Sequence, residues 1–192
     1  ARRRSSSPSP SAPPRFAPPA ALPAGARAFG RYGLIASLGT GGMGTVWKAW
    51  DPHLGRLVAL KQIREEIDAD GDARLRFVRE AQVAARLRHP HIVAVYEVGA
   101  CDGRSYITME FVAGRSFESY LEEGALTKRG ARAESFPRWR EEIAILADVA
   151  DAVAFAHSNG IVHRDLKPAN VMLEDRSARG GSRAAAPPVG IA

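Results

Sequence analysis

The chain has 192 residues, enough for one domain of ordinary size with tails. Its 45% hydrophobic and 25% charged content fits a soluble globular protein and sets aside collagen, coiled coil and wholesale disorder. The formal charge of +6 hints at nucleic acid, but residues 1–30 carry five arginines and no acid, residues 176–192 carry three more, and the body from 31 to 175 is left at −2. A basic recognition face belongs on the folded part, so nucleic acid is discounted as a partner. No apolar run approaches the roughly 18 residues of a membrane-spanning helix, and no membrane segment is expected. Cys101 is the only cysteine, which rules out an internal disulfide framework and a cysteine-built zinc site and fits a reducing, cytoplasmic compartment.

Residues 1–30 hold seven prolines among Ser, Ala and Arg and have no apolar periodicity, so they read as a disordered leader. From Tyr32 the texture changes to short alternating apolar runs: 32–38, 45–50, 56–63, 92–98 and 104–111 read as strands. Asp51-Pro52 and Asp102-Gly103 are turn signals between them and predict consecutive antiparallel hairpins. The stretch 72–88 breaks the alternation with a helical pattern stopped by His89-Pro90. After Gly114 a short helix near 117–121 and a polar stretch from 127 to 137 lead to a long helix over 138–157, with Ile143, Ala147, Ala150 and Ala154 on one face and Asn159-Gly160 closing it. From Arg176 the sequence turns to Arg, Gly, Ala and Pro, and order is expected to end near Asp175. The chain begins at Ala1 without a Met and reads as part of something longer.

Three strings carry chemistry. Gly39-Thr40-Gly41-Gly42-Met43-Gly44-Thr45-Val46 spaces glycines so that backbone N–H groups can approach a phosphate. A dinucleotide-binding reading would need a helix straight after the glycines, whereas a strand follows, so that reading fails. Val58-Ala59-Leu60-Lys61 puts an ammonium late in an apolar strand, where it needs a counter-charge. Phe77, Glu80, Ala84 and Leu87 share a helical stripe, so Glu80 faces the sheet and is the natural partner of Lys61. His163-Arg164-Asp165-Leu166-Lys167-Pro168-Ala169-Asn170 packs charged and amide groups between two apolar runs, which a core would not tolerate without function. The other histidines, His53, His89, His91 and His157, lack metal-ligand spacing and read as surface or capping residues.

Glycine loop, strand lysine, helix glutamate and H-R-D-x-x-x-x-N occur in an order that resembles eukaryotic-type (Hanks-type) serine/threonine protein kinases in their bacterial style, over about residues 31–175. The resemblance implies an α+β fold. Residues 31–113 would be the small lobe, an antiparallel sheet of about five strands plus one helix, ending in the hinge. Residues 114–175 would begin a helical large lobe as far as the catalytic loop, and 176–192 would be a low-complexity tail. It implies ATP and Mg²⁺ as cofactors and a protein bearing Ser or Thr as substrate. Leu38 and Gly39 to Val46 would cover the phosphates, Lys61 would hold the α- and β-phosphates, and Glu80 would orient Lys61. Ala59, Met109, Glu110 and Val112 would line or hydrogen-bond the adenine, with Met109 at the gatekeeper position. Asp165 would accept the substrate hydroxyl proton, Lys167 would offset charge on the transferring phosphoryl as in the serine/threonine subclass, and Asn170 would bind Mg²⁺. His163 would serve as a scaffold residue.

The family also uses an Asp-Phe-Gly motif for a second metal ligand, and the 192 residues contain none; Pro188 and Val189 precede Gly190 where Asp and Phe would stand. Two readings follow from that difference. One is a kinase domain present as its N-terminal part, transferring phosphate far below family rates by itself. The other is a noncatalytic, pseudokinase-like module that binds a nucleotide or a partner.

Overall fold

The computed structural model describes residues 21–128, 138–175 and 184–185. Residues 1–20 of the leader expected over 1–30, residues 129–137 of the polar stretch expected over 127–137, and most of the tail lie outside those residues. Six strands form one antiparallel sheet in the order β1-β2-β3-β4-β6-β5, from β1 (Arg27–Phe29), β2 (Tyr32–Gly41), β3 (Gly44–Asp51) and β4 (Arg56–Ile63) to β5 (Val95–Cys101) and β6 (Arg104–Glu110). Both expected turns close hairpins. Asp51 Oδ1 accepts the His53 N–H at 3.0 Å after β3, and Asp102 and Gly103 hold φ of 51° and 73° between β5 and β6, the paired positive values that suit a tight hairpin. Strand β1 lies inside the stretch read as leader: Arg27 to Phe29 pair with Leu34 to Tyr32, and Phe29 is buried. Three residues are too few to show an alternation, so composition hid this strand.

Helix α1 (Glu65–Ala69) buries no residue and so leaves no apolar period in the sequence; Asp68 fixes it to β6 by accepting the Ser105 N–H and hydroxyl, each at 2.7 Å. Helix α2 (Gly71–Ala84) starts at an Asp70 cap that accepts from the Asp72 and Ala73 amides. It buries Phe77, Ala81 and Ala84 and ends four residues earlier than the periodicity suggests, although Leu87 beyond it is still buried. The sheet has an apolar face on each side. Ala59, Ile63, Val95, Ile107 and Met109 pack with α2 on one side; Tyr32, Leu34, Ala49, Val58, Leu60 and Tyr106 pack under Phe29 on the other.

The helical lobe begins at β7 (Gly114–Ser116), which pairs with β8 (Met172–Glu174); α3 (Phe117–Lys128) and α4 (Arg138–Ser158) lie between them. Its core joins Phe117, Tyr120, Ile145, Val149, Val171 and Leu173. The long helix is apolar on more than one side. Ile145, Val149, Ala152 and Ala156 are buried, whereas the expected face of Ile143, Ala147, Ala150 and Ala154 is exposed. Alanine spacing alone could not choose between the two stripes. A two-residue strand, β9 (Ala184–Ala185), pairs with β8 inside the segment read as low-complexity tail. The lobes meet where Leu87 and Ile92 pack on Ala152 and Ala156, flanked by the contacts of His89 Nε2 with Asp151 at 3.1 Å and of His91 Nε2 with Asp148 at 3.7 Å. No helix of the described residues is long and apolar enough to cross a membrane.

Candidate active site

The glycine string forms the β2–β3 hairpin, with Gly39 opposite Val46, Thr40 opposite Thr45 and Gly41 opposite Gly44. Gly44 is glycine because of packing: a Cβ there would lie 2.0 Å from the Gln62 carbonyl oxygen. Gly39, Gly41 and Gly42 differ, because a Cβ at any of them meets nothing within 4 Å and none has a left-handed φ. Neither the protein's packing nor its backbone requires glycine at these three positions. Bare, open backbone at a hairpin tip fits a phosphate that must come close. Leu38 is half exposed at the start of the hairpin, and Met43 at its tip anchors the turn by accepting the Arg64 N–H at 3.0 Å.

Register sets what lies beneath the hairpin. Antiparallel partners point to the same face, so Val46, Lys61 and Ile107 form one row across three strands, and Lys48, Ala59 and Met109 form the next. Both rows share the face that carries α2. Lys61 is thus an ammonium set in an apolar wall. Burial pushes its pKa down from 10.5 to about 8, while the charges of Asp165 and Glu80 pull it back up. Two carboxylates from different lobes therefore act on this one cation.

Glu80 sits at the edge of the buried stripe of α2, and its Oε1 lies 3.5 Å from Arg164 Nη1. Arg164 takes a left-handed backbone with φ of 48°, which turns the chain sharply between His163 and Asp165. Arg164 was not singled out in the sequence; its link to α2 has no spacing signal, because 84 positions separate the partners. Asp165 is gripped locally: Lys167 Nζ is 2.9 Å from its Oδ2, and Asn170 Nδ2 donates to its carbonyl at 2.8 Å and to Oδ2 at 3.0 Å. These bonds, that from Lys167 foremost, hold the Asp165 carboxyl below the usual carboxylate range, so it is ionised and an acceptor at neutral pH. The 3-10 turn Pro168–Asn170 returns Asn170 to Asp165. With its Nδ2 spent on Asp165, Asn170 has its amide oxygen as the remaining donor atom. Amide and carboxylate oxygens are the hard ligands Mg²⁺ takes, with nucleotide phosphates as further ligands.

His163 is buried, and burial lowers its pKa, which favours neutral imidazole. Its Nδ1 accepts the Asp165 N–H at 3.3 Å, which ties the ring to the loop; its buried Nε2 has no hydrogen-bond partner among the described residues. At the junction of the lobes the Glu110 N–H is committed to the Ala94 carbonyl at 2.9 Å, and Val112 packs against the Ala59 and Met109 cluster. The structure therefore gathers Ala59, Met109 and Val112 on one wall and Lys61, Glu80 and Asp165 around one charge centre.

Three comparisons bear on this arrangement. The family model described as protein kinase domain matches residues 32–179. The serine/threonine-protein kinase PknJ of Mycobacterium tuberculosis is 44% identical over 164 residues, covering 85% of this chain and 26% of that protein. PknF of the same species is 42% identical over 145 residues, covering 76% and 29%. The chain spans about a quarter of the length of these curated relatives. The crystal structure of the M. tuberculosis PknI kinase domain superposes with a TM-score of 0.69 at 35% identity, covering 88% of this chain and 63% of that one. The sheet lobe, the catalytic-loop string and the match over 32–179 agree, and the chain belongs to the protein kinase domain family.

Proposed function

We propose that this chain supplies the nucleotide-binding lobe and catalytic loop of a serine/threonine protein kinase, which transfers the ATP γ-phosphate to Ser or Thr hydroxyls of a protein. The observation that carries the reading is Lys61: a half-buried ammonium on the sheet face, acted on by Asp165 from the opposite lobe and by Glu80 from α2. A charge held at that desolvation cost is suited to an anionic ligand placed between the lobes. In this reading Gly39 to Val46, with Leu38, close over the phosphates, and Ala59, Met109 and Val112 enclose the adenine. The Glu110 N–H is already used, so the base takes its bonds from the Glu110 carbonyl and the Val112 N–H. Asp165, ionised and oriented by Asn170, accepts the proton of the attacking hydroxyl, and Lys167 offsets charge beside it. Mg²⁺, when bound through Asn170, supplies neutralisation of phosphate charge. A cytoplasmic setting is proposed with it, since the lone cysteine, Cys101, is free.

A nucleotide-binding role without transfer is the second reading, supported by the Pro187-Pro188-Val189-Gly190 string, which offers no second carboxylate for metal. Titration with a fluorescent ATP analogue tests the shared part: Lys61→Ala should weaken binding at least tenfold, and equal affinity in both proteins would remove Lys61 as phosphate ligand. Phosphate incorporation into a generic Ser/Thr protein substrate decides between the readings. Incorporation that disappears in Asp165→Asn supports transfer, and binding without Asp165-dependent incorporation supports the second.

A further inference from the structure

One row of the sheet contains a residue that neither the motifs nor the proposed function uses. Lys48, Ala59 and Met109 stand at one level of β3, β4 and β6 and share a face. Ala59 and Met109 are buried, and both belong to the wall proposed for the adenine. Lys48 is the third member, a four-carbon stem ending in a cation. An ammonium with free choice extends into water. That of Lys48 instead lies 5.0 Å from the centroid of the Phe111 ring, within the range of a cation–π contact. Phe111 is two residues beyond Met109, on the segment that joins the lobes. Strand β3 carries the second half of the glycine hairpin, so this contact ties the hairpin to the hinge directly, without passing through β4.

We infer that Lys48 is a positioning residue for the nucleotide: its stem completes the wall of the base slot, and its ammonium, resting on Phe111, clasps β3 to the hinge and fixes the height of the glycine hairpin over the phosphates. The inference deepens the function proposed above and rests on it for the identity of the ligand. The clasp itself concerns only this chain's own residues.

The test uses Lys48→Met, which keeps the stem and loses the charge, Lys48→Arg, which keeps both, Phe111→Leu, and the double variant Lys48→Met/Phe111→Leu. With the fluorescent ATP analogue, Lys48→Met and Phe111→Leu should each weaken binding by about 3-fold to 10-fold. Lys48→Arg should stay within twofold of the parent, and the double variant should bind no more weakly than the weaker single. Affinity unchanged in Lys48→Met, or single effects that multiply in the double, would overturn the inference. If the parent chain binds no nucleotide, the function proposed above fails, and hydrogen exchange on the ligand-free protein decides the clasp. Faster exchange of the amides of Thr40 to Thr45 in Lys48→Met than in Lys48→Arg supports it, and equal exchange refutes it.

Discussion

The sheet lobe and the helical lobe carry different halves of the site on different kinds of support. In the sheet lobe Lys61, Ala59 and Met109 stand on three-strand rows; Ile107 within the Lys61 row, and Leu60 and Val58 beside the rows along β4, have no exposed surface. Slipping β4 by one residue would turn Lys61 to the far face, so register itself fixes which groups meet the ligand. In the helical lobe Asp165 stands on irregular backbone held by Lys167 and Asn170, while Ile143, Leu146 and Val162 are 56%, 54% and 60% exposed. In the proposed function, ligand binding would rest on a frame that buries its own apolar surface, and chemistry on a loop fixed by short-range hydrogen bonds.

The sharpest way to separate the two is Asp165→Asn. The substitution keeps the shape of the side chain and removes the carboxylate, so phosphoryl transfer should fall by about 10²-fold to 10⁴-fold, the usual range for loss of a general base. Nucleotide affinity should change less than threefold, because binding is assigned to the sheet lobe. A parallel fall in affinity would show that the two halves are not separable.

Stability should divide along the same line. Leu60→Ala removes a side chain with no exposed surface and should cost about 2–5 kcal/mol in urea unfolding. Ile143→Ala, on the open face of α4, should stay within about 0.5 kcal/mol of the parent. Comparable losses at both positions would mean that the open face of α4 is covered in solution.

Much of this site was legible in the sequence. The strings around Gly39, Lys61 and Asp165 fall on the hairpin, strand and loop expected for them, because alternation and turn residues are local signals. Strand alternation from Val46 also places Lys48, two residues further, on the cleft face. The buried face of α4 was hard to read, since Ile143 and Ile145 begin two stripes that differ only by Ala147 against Val149, and tertiary packing selects the second. The approach of Arg164 to Glu80 was not legible, since it depends on how the lobes meet and on a left-handed residue that no neighbouring glycine announces.

Lys61 offers a pH test of the sheet lobe's half of the comparison. Its pKa is about 8 in the fold against 10.5 ordinarily, so between those values the unfolded chain holds the proton that the folded chain has lost. Stability should therefore rise with pH across that window, and below about pH 8 the whole cost of burying the charge is in place, on the order of 3 kcal/mol. Lys61→Met removes the charge and keeps most of the volume. At pH 7 it should be more stable than the parent by about 1–3 kcal/mol, with the gap closing toward pH 10, while losing nucleotide affinity. A variant less stable than the parent at pH 7 would show that Lys61 is fully compensated by its partners and is not a strained group held for a ligand.

The smallest expected effect lies where the lobes share a charge. Glu80 acts on Lys61 and also approaches Arg164, whose side chain is 73% exposed, so this second contact is screened and should contribute less than about 1 kcal/mol. Its interest is in direction rather than size. Arg164→Gln keeps a side chain of similar reach but removes the competing cation, which leaves the Glu80 carboxylate to Lys61 alone. The Lys61 pKa should then move up toward its ordinary value, and acylation of Lys61 by an amine-selective reagent at pH 7.5 should slow by about twofold to threefold, since only the neutral amine reacts. Salt at 1 M shortens screening to about 3 Å and should shrink the difference between the two proteins. Faster acylation in Arg164→Gln would mean that Arg164 helps to hold Glu80 near Lys61, making the catalytic loop a support for the sheet lobe's charge pair and not a rival for it.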